Sequence, residues 1–168
     1  MTENIPDLLS TSEKLLLCLC RTGLSTAEKE EVNGMAGKII DWDLFVRQAN
    51  KHGVVALAHE NLTDAGCNGL IPPEPLKILQ QGYMSSLARN TVLSERLGRI
   101  ISLARREGFR IVLLKGMALE KTIYGDKGLR QMNDIDLLTD RKEAVPLRNL
   151  LLKEGYWSIP FIPLSMKR

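Results

Sequence analysis

Phe109-Arg110-Ile111-Val112-Leu113-Leu114, followed by Lys115-Gly116, and further on Met132-Asn133-Asp134-Ile135-Asp136-Leu137-Leu138, carry the information on which the architecture turns. The first run is rich in β-branched and large apolar groups and is bounded by Gly108 and Gly116, which reads as a short buried strand. Lys115-Gly116 makes a turn, and Met117 to Tyr124 reads as a short helix. Gly125-Asp126-Lys127-Gly128 is a loop, and Met132 to Leu138 reads as a second strand. Asp140 is placed to cap a further helix, with Glu143 three residues on and Leu147, Leu150 and Leu151 as its buried face, ending at Gly155. Pro146 inside that helix costs about 3 kcal/mol, so the helix is expected to begin nearer Val145. Trp157-Ser158-Ile159 is expected to start a third strand before Pro160 and Pro163 interrupt it.

Outward from this segment the period changes. Ser10-x-x-Glu13 and Ser25-x-x-Glu28 are capping-box signatures, the first ahead of the apolar run Leu15 to Leu19. Gly34 and Gly37 are expected to break the second helix. Asp41 caps a third, with Trp42, Phe45, Val46 and Ala49 on one face and Gly53 as its end, and Val54 to Leu62 continues helically. Ala65 to Pro75, with its glycines and three prolines, reads as a rigid loop. Leu76, Leu79, Tyr83 and Leu87, then Leu93, Leu97, Ile100, Ile101 and Ala104, define one long helix or two, with Gly82, Asn90 and Gly98 as weak points. Residues 1–106 thus read as a helical N-terminal region, and 107–168 as an α/β core.

Composition removes several function classes. Across 168 residues, apolar groups make up 44% and charged groups 26%, which supports a packed core and not a disordered chain. A net charge of +3 with 5% aromatics is no strong signal for DNA binding. The apolar run Leu15 to Cys20 is far too short for a membrane span, and Met1-Thr2-Glu3-Asn4 lacks the basic region of a secretory signal. Cys18, Cys20 and Cys67 form no disulfide framework and no zinc-ribbon spacing. A cytoplasmic protein, with no membrane partner, is the expectation.

Asp134 and Asp136 are the most informative residues. Side chains at i and i+2 of a strand share a face, so Ile135 and Leu137 would enter the core while two carboxylates stand in parallel. At roughly 6 Å and an effective dielectric near 20, two such charges repel by about 3 kcal/mol. In a cleft this repulsion needs an offset: a proton, a basic side chain or a divalent cation. Hard oxygen donors suit Mg²⁺ or Mn²⁺, which commonly bridge carboxylates and substrate phosphates. An isolated Asp-x-Asp is more often the wet face of an amphipathic strand. Here Lys115-Gly116 opens a helix after a strand, where glycine lets a phosphate approach the backbone and lysine supplies a point charge. Lys127 and Arg130, just before the second strand, are also placed to meet phosphate.

The ordered set Leu113-Leu114-Lys115-Gly116-Met117-Ala118-Leu119, Tyr124-Gly125-Asp126, Gly128-Leu129-Arg130-Gln131-Met132, Asp134-Ile135-Asp136-Leu137-Leu138 and Gly155-Tyr156 resembles the uncharacterised nucleotidyltransferase family of the polymerase-beta-like nucleotidyltransferase superfamily. The resemblance covers about Phe109 to Tyr156. The helical half is similar in kind, through Trp42 and His52-Gly53-Val54. It implies an α+β fold: a helical N-terminal lobe followed by an incomplete nucleotidyltransferase-like mixed sheet with flanking helices. It also implies transfer of a nucleoside monophosphate from an NTP to an acceptor hydroxyl on a protein, RNA or small molecule, by two-metal chemistry. Asp134 and Asp136 map onto the catalytic, metal-binding pair. Lys115 and Gly116 map onto the turn that faces the triphosphate, and Arg130 is a further nucleotide contact.

The superfamily completes its metal site with a third carboxylate on a later strand. After Asp136 this sequence offers Asp140, Glu143 and Glu154, none on a convincing third strand, so the chain is expected to be a fragment or a shortened member. The alternatives are a non-catalytic binding or regulatory module that keeps the fold and, more weakly, a glycosyltransferase using Asp-x-Asp to hold its metal. His52 and His59 read as surface or packing residues, and Arg105, Arg106 and Arg110 as a solvated helix end.

Overall fold

Local capping sets where the first helices begin. The computed structural model describes residues 9–38 and 41–158. Helix α1 (Thr11–Leu19) and helix α2 (Thr26–Ala36) both start in complete capping boxes. The Ser10 hydroxyl accepts from the Glu13 amide at 3.3 Å, and the Glu13 carboxylate accepts from the Ser10 amide at 2.8 Å. The Ser10 hydroxyl also donates to that carboxylate at 2.7 Å, and this bond first, with the amide bond second, holds the exposed Glu13 carboxyl below its ordinary pKa. Helix α2 runs through Gly34 and stops only at Gly37. Helix α3 (Trp42–Lys51) is capped by Asp41, whose carboxylate accepts from the Leu44 amide at 2.8 Å. Gly53 turns the chain at φ +68° into helix α4 (Val55–Asp64). Leu15, Leu19, Val32, Phe45, Ala49, Leu62 and Leu79 are among the buried side chains that join these helices in one apolar core.

Helix α5 (Pro73–Arg106) is a single helix of 34 residues, about 50 Å long. Pro73 sits in its first turn, where a missing N–H costs nothing. The anticipated weak points are contact points instead. Gly82 gives Val55 room against the helix backbone. Asn90 is fully buried and donates to the carbonyl of Lys127 and, at 2.6 Å, to that of Arg130. Leu79 on this helix belongs to the first core, whereas Leu93 and Leu97 form a second core with Met117 and Met132. The helix therefore links the two.

The remainder is small. Strand β1 (Ile111–Leu113) pairs antiparallel with strand β2 (Leu137–Thr139), in register Ile111 with Thr139 and Leu113 with Leu137. Between them lie helix α6 (Lys115–Leu119) and a π turn over Glu120–Tyr124. Helix α7 (Arg141–Lys153) follows β2. The fold is α+β, with a two-stranded sheet among the described residues. No described helix is long and apolar enough to cross a membrane.

Four local expectations are corrected. The second strand is Leu137–Thr139 and not Met132–Leu138, because β1 offers partners only as far as Leu113. The Asp140–Glu143 capping box does not form. Asp140 instead pairs with the Arg110 guanidinium at 2.8 Å, and Glu143 accepts from the Arg110 amide and the Thr139 hydroxyl, each at 3.3 Å. Pro146 lies inside α7, which begins at Arg141; the carbonyl it leaves without a donor belongs to exposed Lys142, which water can reach. Trp157 and Ser158 are not in a strand, and Ile159 and the residues after it lie outside the described residues.

Candidate functional site

The strand pairing brings the lysine turn to Asp136. Beyond the Leu113–Leu137 pair, the Leu114 amide donates to the Asp136 carbonyl at 3.0 Å. The chain then turns at Lys115, whose φ of +48° is left-handed. That conformation costs a non-glycine residue on the order of 1 kcal/mol, and such strain concentrates at functional sites. It leaves the Lys115 ammonium 3.1 Å from Asp136 Oδ1. The Asp136 side chain is 30% exposed and that of Lys115 71%. An ion pair so open to water contributes at most about 1 kcal/mol, so an arriving ligand displaces it without much opposition.

The apolar half of the alternation expected around the aspartates is present. Ile135 and Leu137 pack, with Leu113, against the second core of Leu97, Met117 and Met132. Asp134 and Asp136 lie just ahead of β2, at the alternate sequence positions. Asp134 is exposed, and among the described residues its carboxylate accepts no hydrogen bond.

Gly116 and Arg130 form the second grouping. A Cβ on Gly116 would stand 2.9 Å from Met132 Sδ and 3.7 Å from Arg130 Nε. Glycine here lets Met132 pack closely against the turn. Arg130 donates from Nη1 to the Tyr124 hydroxyl at 3.4 Å and lies over the Tyr124 ring, 5.8 Å from its centre. Its Nε is buried with no partner. The structure therefore joins Lys115 to Asp136 and places Arg130 beside Gly116; among the described residues Asp134 bonds to neither group. Lys127, the other basic residue before β2, is exposed.

Sequence reasoning passed over the residues that hold this arrangement. Asn90 shares a helical face with Leu93 and Leu97, a signal that it would be buried. Tyr83 donates to Asp126 Oδ2 at 2.8 Å, and its ring covers Gly128. Burial, with the Asp126 hydrogen bond second, pushes the Tyr83 hydroxyl up to about 12. Arg89 donates to Asn133 Oδ1 at 2.7 Å. Nothing local in the sequence announces these last two links.

The donor chemistry fits a hard divalent cation: two carboxylates at alternate positions, one free of hydrogen bonds and the other with a single exposed cation beside it. Among the described residues no three His, Cys, Asp or Glu side chains cluster closely enough to share an ion.

The class comes from the sequence comparison: the model of the family described as uncharacterised nucleotidyltransferase matches residues 38–159, spanning α3 to α7. This chain belongs to that family. Membership gives a general nucleotidyltransferase function and implies an NTP substrate. No curated protein and no solved structure matches the chain.

Proposed function

We propose that this chain is a cytoplasmic, metal-dependent nucleotidyltransferase. In the reaction an acceptor hydroxyl oxygen bonds to the α-phosphorus of an NTP as the bond to pyrophosphate breaks. The observation that carries the reading is the 3.1 Å contact of Lys115 with Asp136, one of the two carboxylates. Asp134 and Asp136 are the residues that would hold Mg²⁺ or Mn²⁺. Such an ion, when bound, supplies positive charge against the phosphates and acidifies the acceptor hydroxyl.

The protein's own groups do the positioning. Ile135 and Leu137, anchored in the second core, fix the direction of the two carboxylates. Lys115 steadies Asp136 in the resting chain; its long, exposed side chain transfers to a phosphate oxygen when the nucleotide arrives. Gly116 keeps the turn closed on Met132. Arg130, on the flank of Gly116, adds a second fixed positive charge near the triphosphate. Residues 107–168 carry the chemistry and 1–106 support it.

The test is pyrophosphate release with Mg²⁺ and each NTP in turn. Release that disappears in Asp134→Asn/Asp136→Asn supports the reading, and unchanged release in that variant contradicts it. A non-catalytic binding or regulatory module that keeps the fold is a second reading, favoured by the pair of carboxylates standing without a described third. It predicts tight association with another chain, no Mg²⁺-dependent thermal shift and no pyrophosphate from any NTP.

A further inference from the structure

The motif His52-Gly53-Val54 forms one wall of a cleft. Its opposite wall is the segment Leu129 to Asn133, which leads directly into Asp134. The cleft has two lobes that share Asn50, Gly53 and Gln131. One lobe measures about 470 Å³ and includes Lys51, His52 and Arg130 in its lining; the other measures about 270 Å³ and includes Ser86 and Arg89.

Three features indicate a built binding site. The lining of both lobes contains Lys51, His52, Arg89 and Arg130 but no aspartate or glutamate. Two residues of the lining carry a buried polar atom with no protein partner: Arg130, at Nε, and Ser86, at the hydroxyl of a residue only 4% exposed. The volume is that of small-molecule sites, too small for a folded partner to enter.

We propose that this cleft seats the acceptor, a small molecule carrying a carboxylate or phosphate group beside its reactive hydroxyl. The term acceptor rests on the nucleotidyl-transfer reading; the anionic character rests on the cleft alone. Arg130 stands at the border. It lines the cleft and also lies 3.7 Å from the Cβ position of Gly116, so an anion held there would sit next to the nucleotide turn. Fixed guanidinium groups bind carboxylate and phosphate alike, which leaves both sources open to one experiment.

The full chain is titrated with inorganic phosphate and, separately, with succinate, and followed by amide NMR. Saturable shifts centred on Lys51–Val54 and Arg130–Asn133 are expected. A response to phosphate alone assigns a phosphate ester, and to succinate alone a carboxylate. Arg130→Gln should weaken binding about tenfold, and Arg89→Gln, on the separate helix α5, provides a second variant should the first misfold. Shifts confined to Lys115–Met117, no saturable shift with either anion, or undiminished binding in both variants overturns the proposal. Displacement of the anion by Mg²⁺–ATP also overturns it, because the cleft would then belong to the nucleotide. Asp134→Asn/Asp136→Asn should retain anion binding. Anion binding in a chain that releases no pyrophosphate would retire the catalytic reading and leave the cleft assigned.

Discussion

The side-chain amide of Asn90 donates to the carbonyl oxygen of Arg130 at 2.6 Å, tying the middle of helix α5 to the segment that delivers Asp134. The same amide also serves the Lys127 carbonyl. Asn90→Leu removes both donors and leaves two carbonyls without partners. Stability should fall by about 1–3 kcal/mol. Urea unfolding of the variant measures this, and an unchanged midpoint would show that the link is dispensable.

Gly116 and Met132 are coupled by contact. Gly116→Ala puts a methyl group 2.9 Å from Met132 Sδ, and the flexible thioether can yield only by disturbing the second core. A loss of about 1–3 kcal/mol is expected. In the double variant Gly116→Ala/Met132→Ala the losses should add to less than their sum, by about 0.5 kcal/mol or more. Strict additivity in the thermodynamic cycle would contradict the packing argument.

Much of the helical half was legible because its signals are local. Ser10 with Glu13, Ser25 with Glu28 and Asp41 with Leu44 each act within one turn of chain, and each forms as the sequence suggests. Asp140 and Glu143 have the same spacing, yet Arg110, just ahead of strand β1, takes both carboxylates. That competition is tertiary and leaves no local trace. Gly82 and Asn90 look like helix breaks on propensity, but each touches another element. The aspartate and Lys-Gly motifs could be read in order along the chain. The pairing of Lys115 with Asp136 depends on antiparallel register over three residues, too short a ladder to read in advance.

Lys115 separates stability from function. Lys115→Gly relieves the left-handed strain but adds chain entropy, so stability should stay within about 1 kcal/mol of the parent. Pyrophosphate release should nonetheless drop at least about tenfold through the lost charge. Full activity in this variant would remove the lysine from the proposed site.

Tyr83 gives a pH signature. Its hydroxyl is raised from 10.0 to about 12 by burial and by Asp126. Between these values the unfolded chain has lost the proton while the folded chain keeps it. Stability from this group is therefore complete below pH 10 and declines as pH rises towards about 12. Urea unfolding at about pH 8 and about pH 11 should show a decline in the parent that is smaller in Tyr83→Phe. Equal declines would contradict the assignment.

The most direct measurement is paramagnetic broadening of amide resonances by Mn²⁺ in the presence of ATP. Broadening should centre on Asp134–Leu137 and Leu114–Gly116, and should vanish in Asp134→Asn/Asp136→Asn while the helical circular dichroism persists. Broadening centred elsewhere, or undiminished in that variant, would contradict a metal site on this carboxylate pair.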